Sequence, residues 1–187
     1  KAAHAFAARF YLYKRDWAKV VEHADHVLTT TDATTLAMLF DANTNRDQSN
    51  VELAFKHFID VQASCNLLLI ATYSSSAYAH FPSYGRYQYN GDAQNFTTYG
   101  AGPCWTGQFP GIGTWSADQK LGGFCAKDYY DFEYTDKVAG YGFIRMVSRA
   151  FTTNETLLCR AEAKTHLGDL AGATNDLRLW CQGYNVG

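Results

Sequence analysis

The chain has 187 residues, with 16 Lys and Arg against 18 Asp and Glu and a formal charge of -2. Hydrophobic residues reach 47%, enough for a packed core, while charged residues stop at 18% and aromatics reach 16%. This balance excludes the basic face of a nucleic-acid binder and electrostatic adhesion to anionic lipid. No run approaches the ~18 consecutive apolar residues of a membrane helix.

Helical periodicity starts at once. Ala3, Phe6, Ala7, Phe10 and Tyr11 follow the stripe of an amphipathic helix. After the polar break Lys14-Arg15-Asp16, the residues Trp17, Val20, Val21, Ala24, Val27 and Leu28 repeat it; Asp16 serves as N-cap and Thr29 to Thr31 as the end. Two helices joined by so short a break pack antiparallel. Val51, Leu53 and Phe55 alternate with Glu52, Ala54 and Lys56, which predicts a strand over 51–58.

Residues 59–134 read as a variable aromatic loop region. Its part from 73 to 134 holds 16 aromatics, all three Pro and nine of the fifteen Gly, and no helical stripe survives more than two turns. A loop of that length inside a compact chain is usually functional. From Asp128 a β-hairpin is expected: Tyr130, Phe132 and Tyr134 alternate with acids, Lys137 to Gly140 turns, and Phe143 to Val147 returns.

Within 135–187, after the hairpin's return, the opening pattern recurs. A helix from Glu155 carries Leu157, Leu158, Ala161 and Leu167 up to Gly168-Asp169; a second places Leu170, Ala173, Thr174, Leu177, Trp180 and Cys181 on one stripe. A shift of 153 superposes Asp16 on Asp169 and Val20 on Ala173, with Ala8 and Ala161 at close helix crossings. The pattern is that of tetratricopeptide-like helical hairpins. Trp17 and Trp180 fall on the stripes and read as core. The fold expected is mainly α: two such hairpins, a long aromatic Gly-rich loop region and a small β-hairpin.

Enzyme signatures are missing. Gly111-Ile112-Gly113 and Gly140-Tyr141-Gly142 lack the third Gly of a dinucleotide loop, and no Gly-x-Ser-x-Gly elbow occurs. Asp92, Asp118, Asp128, Asp131 and Glu133 read as a solvated surface rather than a glycosidase pair. His23 and His26, beside Glu22 and Asp25, read as a solvated helix face; a metal site there requires His4 to come across the hairpin. Of the five cysteines, Cys65, Cys159 and Cys181 sit among apolar helix positions and read as buried thiols, while Cys104 and Cys125 share the loop region and have the option of pairing. No catalytic residue, metal or cofactor is therefore expected.

Binding is a different matter. Trp105, Trp115, Tyr84, Tyr87 and Tyr89 are interleaved with Arg86, Gln88, Asn90, Asp92, Gln94 and Asn95. Flat rings pack on the C–H face of a pyranose while amides and guanidinium bind its hydroxyls, so a sugar site is expected with Trp105 and Trp115 as anchors. Tyr84, Tyr87 and Tyr89 come next, with Arg86, Asn90 and Asn95 as hydroxyl partners. The competing reading packs the rings as a satellite core beneath the loops.

The run Ala5-Phe6-Ala7-Ala8-Arg9-Phe10-Tyr11-Leu12-Tyr13-Lys14, followed by Asp16-Trp17, resembles the first tetratricopeptide hairpin of the SusD-like (RagB) nutrient-binding proteins. Phe151 to Ala163, with its Arg160-Ala161-Glu162-Ala163, continuing through Leu167-Gly168-Asp169, resembles a later hairpin of that family, and Ser64 to Leu69 is also similar. The resemblance implies a mostly helical, lipid-anchored protein on the outer-membrane surface of glycan-foraging bacteria. It implies binding of an oligosaccharide without cleavage and partnership with a SusC-like TonB-dependent transporter. Members are typically more than twice as long, so the chain is expected to be an interior piece of one SusD-like domain, its lipid anchor upstream. The alternative is a tetratricopeptide-like interaction scaffold with no sugar site of its own.

Overall fold

The structure, a computed structural model, describes residues 1–28, 31–41, 56–73 and 128–183. Its helices are α1 (Ala2–Lys14), α2 (Trp17–Val27), α3 (Asp32–Ala37), α4 (Thr153–His166) and α5 (Leu170–Gly183); its strands are β1 (Asn66–Tyr73), β2 (Asp128–Asp136) and β3 (Tyr141–Thr152). The described residues are thus mainly helical with a small antiparallel sheet. One compact unit comprises 1–42, 60–69 and 149–187 and holds the five helices named above; the other comprises 43–59 and 70–148.

Two helix pairs share one turn. At the end of α1, Arg15 takes a left-handed conformation (φ 58°), its N–H donating to Leu12 O and the N–H of Asp16 to Tyr11 O. At the end of α4, Gly168 takes the same conformation (φ 84°), its N–H donating to Thr165 O and that of Asp169 to Lys164 O. Both are Schellman-type closures that satisfy the last carbonyls of a helix. Asp16 then accepts the N–H of Lys19 to start α2, and Asp169 accepts that of Gly172 to start α5. Every one of these residues stands at the same offset from its counterpart, the shift read from the sequence.

Within the helical unit, α4 is the central element, packed against α1, α2 and α5. Thr152 opens it as N-cap, accepting the N–H of Glu155, so the helix starts at Thr153 and β3 runs up to the cap. Thr153, Asn154, Thr156, Leu157, Cys159, Arg160, Ala161 and Ala163 are all buried. Leu157 joins Ala5, Val27, Leu28, Leu39 and Leu179 in one apolar cluster; Cys159 and Ala163 join Val20 in another, flanked by Tyr11, Leu12, Trp17 and Val21. The buried start of α4 binds neighbouring backbone: Thr153 Oγ1 donates to Met38 O, and Asn154 Oδ1 accepts the N–H of Phe40.

The buried faces differ from the stripes counted in the sequence. In α1 the buried positions are Ala5 and Ala8, while Phe6 and Phe10 are exposed. Two alanines let the helices approach closely, and the larger rings turn outward. In α5 the buried positions are Ala173, Asp176 and Leu179, whereas Leu170, Leu177 and Thr174 face solvent. Asp176 belongs to that face because Arg160 and Lys164 reach it, and counting apolar residues alone passes over it. Trp17 and Trp180 are half-buried at the rim of the core rather than within it. Cys65 precedes β1 in a turn rather than lying on a helix, and it is buried, as is Cys159; both are free, and Cys181 is free and half-buried.

The sheet has the order β1-β3-β2. The hairpin read from the sequence is present: β2 pairs antiparallel with β3, Glu133 opposite Phe143 and Asp131 opposite Arg145, with a bulge between Tyr134 and Asp136. Asp136 Oδ1 accepts the N–H groups of Val138 and Ala139 in the turn, and Gly140 supplies its positive φ of 73°. β1 corrects the loop reading of 59–134: Leu67 to Ile70 is a continuous apolar run that forms a strand. The strand expected over 51–58 is also corrected. Residues 56–58 form a helical turn, and Phe58, out of register with Val51, Leu53 and Phe55, is the buried side chain there; residues 51–55 lie outside the described residues.

Candidate functional site

The expected sugar-binding residues Tyr84, Arg86, Tyr87, Tyr89, Asn90, Asn95, Trp105 and Trp115 all lie outside the described residues, as do Cys104 and Cys125. What the described residues offer instead is one face of the sheet. Period-2 alternation sends Phe143 and Arg145 of β3 to the same side, and Glu133 joins them because it stands opposite Phe143. Tyr73 comes to that side from the end of β1.

These four side chains form a connected group. Arg145 Nη2 lies 2.6 Å from Glu133 Oε2 and donates to Tyr73 Oη at 2.9 Å. The guanidinium carbon is 5.2 Å from the centroid of the Tyr73 ring, and that ring meets Phe143 edge-on, 5.7 Å between centroids at 66°. The hydrogen bond to Tyr73, followed by the charge of Glu133, raises the pKa of Arg145. Tyr73 is 63% exposed and Phe143 58%, although both are large and apolar. Tyr141, also on β3, and Tyr134 on β2 are exposed as well.

Chemically the arrangement is a corner, not a flat platform. A ring face and a ring edge meet beside one anchored cation and one carboxylate, so apolar C–H surface and hydroxyl groups both find partners within a few ångströms. The alternation of β2 was legible in the sequence. The group was not, because its members are separated by as much as 72 residues and Tyr73 belongs to the strand that the loop reading passed over.

On the helical unit, the hairpin brings together the histidines that the sequence kept apart. His4 Nδ1 is 3.1 Å from His23 Nδ1, and the His4 and His26 ring centroids are 4.5 Å apart. Tyr11 stacks on His23 at 5.4 Å and 16°. Desolvation, then the neighbouring His26 and His23, lowers the pKa of His4.

The tetrad Arg160-Ala161-Glu162-Ala163 has a structural role. Arg160 ties α4 to Asp176 of α5 and Asp25 of α2, Ala161 and Ala163 are buried at close approaches, and Glu162 faces solvent. Arg9 of α1 reaches the start of α4, donating to both Glu155 carboxylate oxygens and to Ala150 O, with its guanidinium 4.1 Å over the Phe151 ring. No described helix is long and apolar enough to cross a membrane. Comparison of the chain with protein families, with curated proteins and with solved structures gives no match in any of the three.

Proposed function

We propose that the protein is a SusD-like glycan-binding component of an outer-membrane, TonB-dependent uptake complex, and that it binds sugar without cleaving it. One observation carries the ligand class: Tyr73 and Phe143 stay exposed beside the Arg145–Glu133 ion pair, a pairing of ring and polar group suited to a pyranose. The scaffold side of the reading rests on the two hairpins, which close on the same turn and reopen on the same aspartate cap, as repeated helical hairpins do. Trp105 and Trp115, with Tyr84, Tyr87 and Tyr89, are in this proposal further contacts of the same glycan. The SusC-like transporter as partner and the lipid anchor follow from the resemblance.

A second reading is favoured by a different observation. Leu167, Leu170 and Leu177 are exposed around the start and outer face of α5, where an interaction scaffold would seat a protein or a further hairpin. Affinity electrophoresis in gels containing plant and mucin polysaccharides separates the two. Retardation of the wild type by at least one glycan, weakened about tenfold or more in Tyr73→Ala or Trp105→Ala, is the expected result. No retardation by any glycan overturns glycan binding and leaves the scaffold reading.

A further inference from the structure

We propose that His4, His23 and His26 bind one divalent transition-metal ion of the zinc and copper class, clamping α1 to α2. The starting point is the approach of two ring nitrogens: His4 Nδ1 and His23 Nδ1 stand 3.1 Å apart, sharing one N–H in a hydrogen bond that a metal ion would replace. A tetrahedral ion with metal–nitrogen bonds of about 2.0–2.1 Å holds its ligand nitrogens roughly 3.3 Å apart, so the pair is already at chelating separation. The third ring is adjacent. His26 follows His23 by three residues on α2, which puts both on one helix face, and its centroid lies 4.5 Å from that of His4.

The cluster falls short at one place. The His23 and His26 centroids are 6.5 Å apart, and no three His, Cys, Asp or Glu side chains among the described residues stand in metal-holding geometry. Rings ligating one tetrahedral ion have centroids about 5 Å apart, so His26 has to swing inward by something over an ångström. It is exposed on α2. The other two rings are placed in advance: the stacked Tyr11 fixes the plane of His23, and the Arg15–Asp16 turn fixes α1 against α2. Imidazole donors select zinc, copper, nickel or cobalt over magnesium and calcium, which require oxygen.

The proposal is independent of glycan binding and is tested on the untagged, chelator-stripped chain. Calorimetric titration with zinc chloride at pH 7.5 is expected to give one ion per chain, with a melting midpoint that rises with zinc. His4→Ala and His26→Ala should each weaken binding at least tenfold and remove the zinc-dependent rise, and His4→Gln and His26→Gln should behave alike. His166→Ala, whose ring stacks on Trp17 at 4.1 Å, is the control that keeps both signals. A wild-type midpoint indifferent to zinc, or zinc binding of full strength in His4→Ala or His26→Ala, overturns the site.

Discussion

Arg160 is a cation with a side chain only 8% exposed, and it spends its guanidinium on two carboxylates. Nε and Nη2 form a bidentate pair with Asp176, itself 1% exposed, and Nη1 donates to Asp25 at 2.8 Å. Burial works against the charge, but the hydrogen bonds and the charge of Asp176, then Asp25, prevail and raise its pKa. Breaking a buried pair is costlier than replacing it, because the surviving charge is left behind. Arg160→Met should therefore lose about 3 kcal/mol in denaturant unfolding, with Lys164 at 2.9 Å from Asp176 limiting the loss. The double variant Arg160→Met, Asp176→Leu should regain most of it. A neighbouring residue gives the molecule an alkaline limit. Burial, then the charges of Glu155 and Glu162, pushes the Cys159 thiol up to about 11 from its ordinary 9.0. Between those values the unfolded chain releases a proton that the folded chain keeps, so this contribution is complete below pH 9 and lost as pH rises toward 11. Melting midpoints at pH 8 and pH 10.5 should fall further for the wild type than for Cys159→Ala.

The helix-to-helix turns show how far sequence reasoning reaches at the scale of elements. The shift of 153, the cap Asp16 and the breaks at Lys14 to Asp16 and at Gly168-Asp169 were legible, because they rest on local chemistry written in consecutive residues, whereas α4, expected from Glu155, starts two residues earlier behind the Thr152 cap. The buried faces were less so. Period counting ranks Phe6 above Ala5 and Leu177 above Asp176, whereas close packing and a buried ion pair reverse both orders. β1 was missed for a related reason: a short apolar run beside an aromatic region has no alternation to reveal it. The shared turn also leads to a paired prediction. Arg15 holds a left-handed conformation that costs an ordinary residue about 1 kcal/mol, while Gly168 holds it without strain. Arg15→Gly should stabilise by about 0.5–1 kcal/mol, and Gly168→Ala should destabilise by about 1–2 kcal/mol. A Cβ at Gly168 meets nothing within 4 Å, so the second effect reports backbone conformation alone. Urea midpoints of the two variants, shifted in opposite directions, are the check.

Across the whole molecule, the candidate site was the part least legible in advance. Its rings and charges come from three strands, and only pairing puts Glu133 opposite Phe143 and Tyr73 within reach of Arg145. Composition identified where aromatics crowd but not which of them share a surface. The helical unit, by contrast, has a centre that composition hides. Because α4 is enclosed by α1, α2 and α5, it divides the hydrogen-exchange behaviour of that unit into two classes. Amides in the middle of α4, around Leu157 to Ala161, reach solvent only when the neighbouring helices have all let go, so they should exchange with the free energy of global unfolding. Amides on the outer turns of α5, near Leu170 and Leu177, need only local fraying and should exchange orders of magnitude sooner. Native-state exchange followed by mass spectrometry should then show one late-exchanging peptide at the heart of the unit. Small amounts of denaturant should speed that peptide with the full slope of global unfolding, while the α5 peptides barely respond.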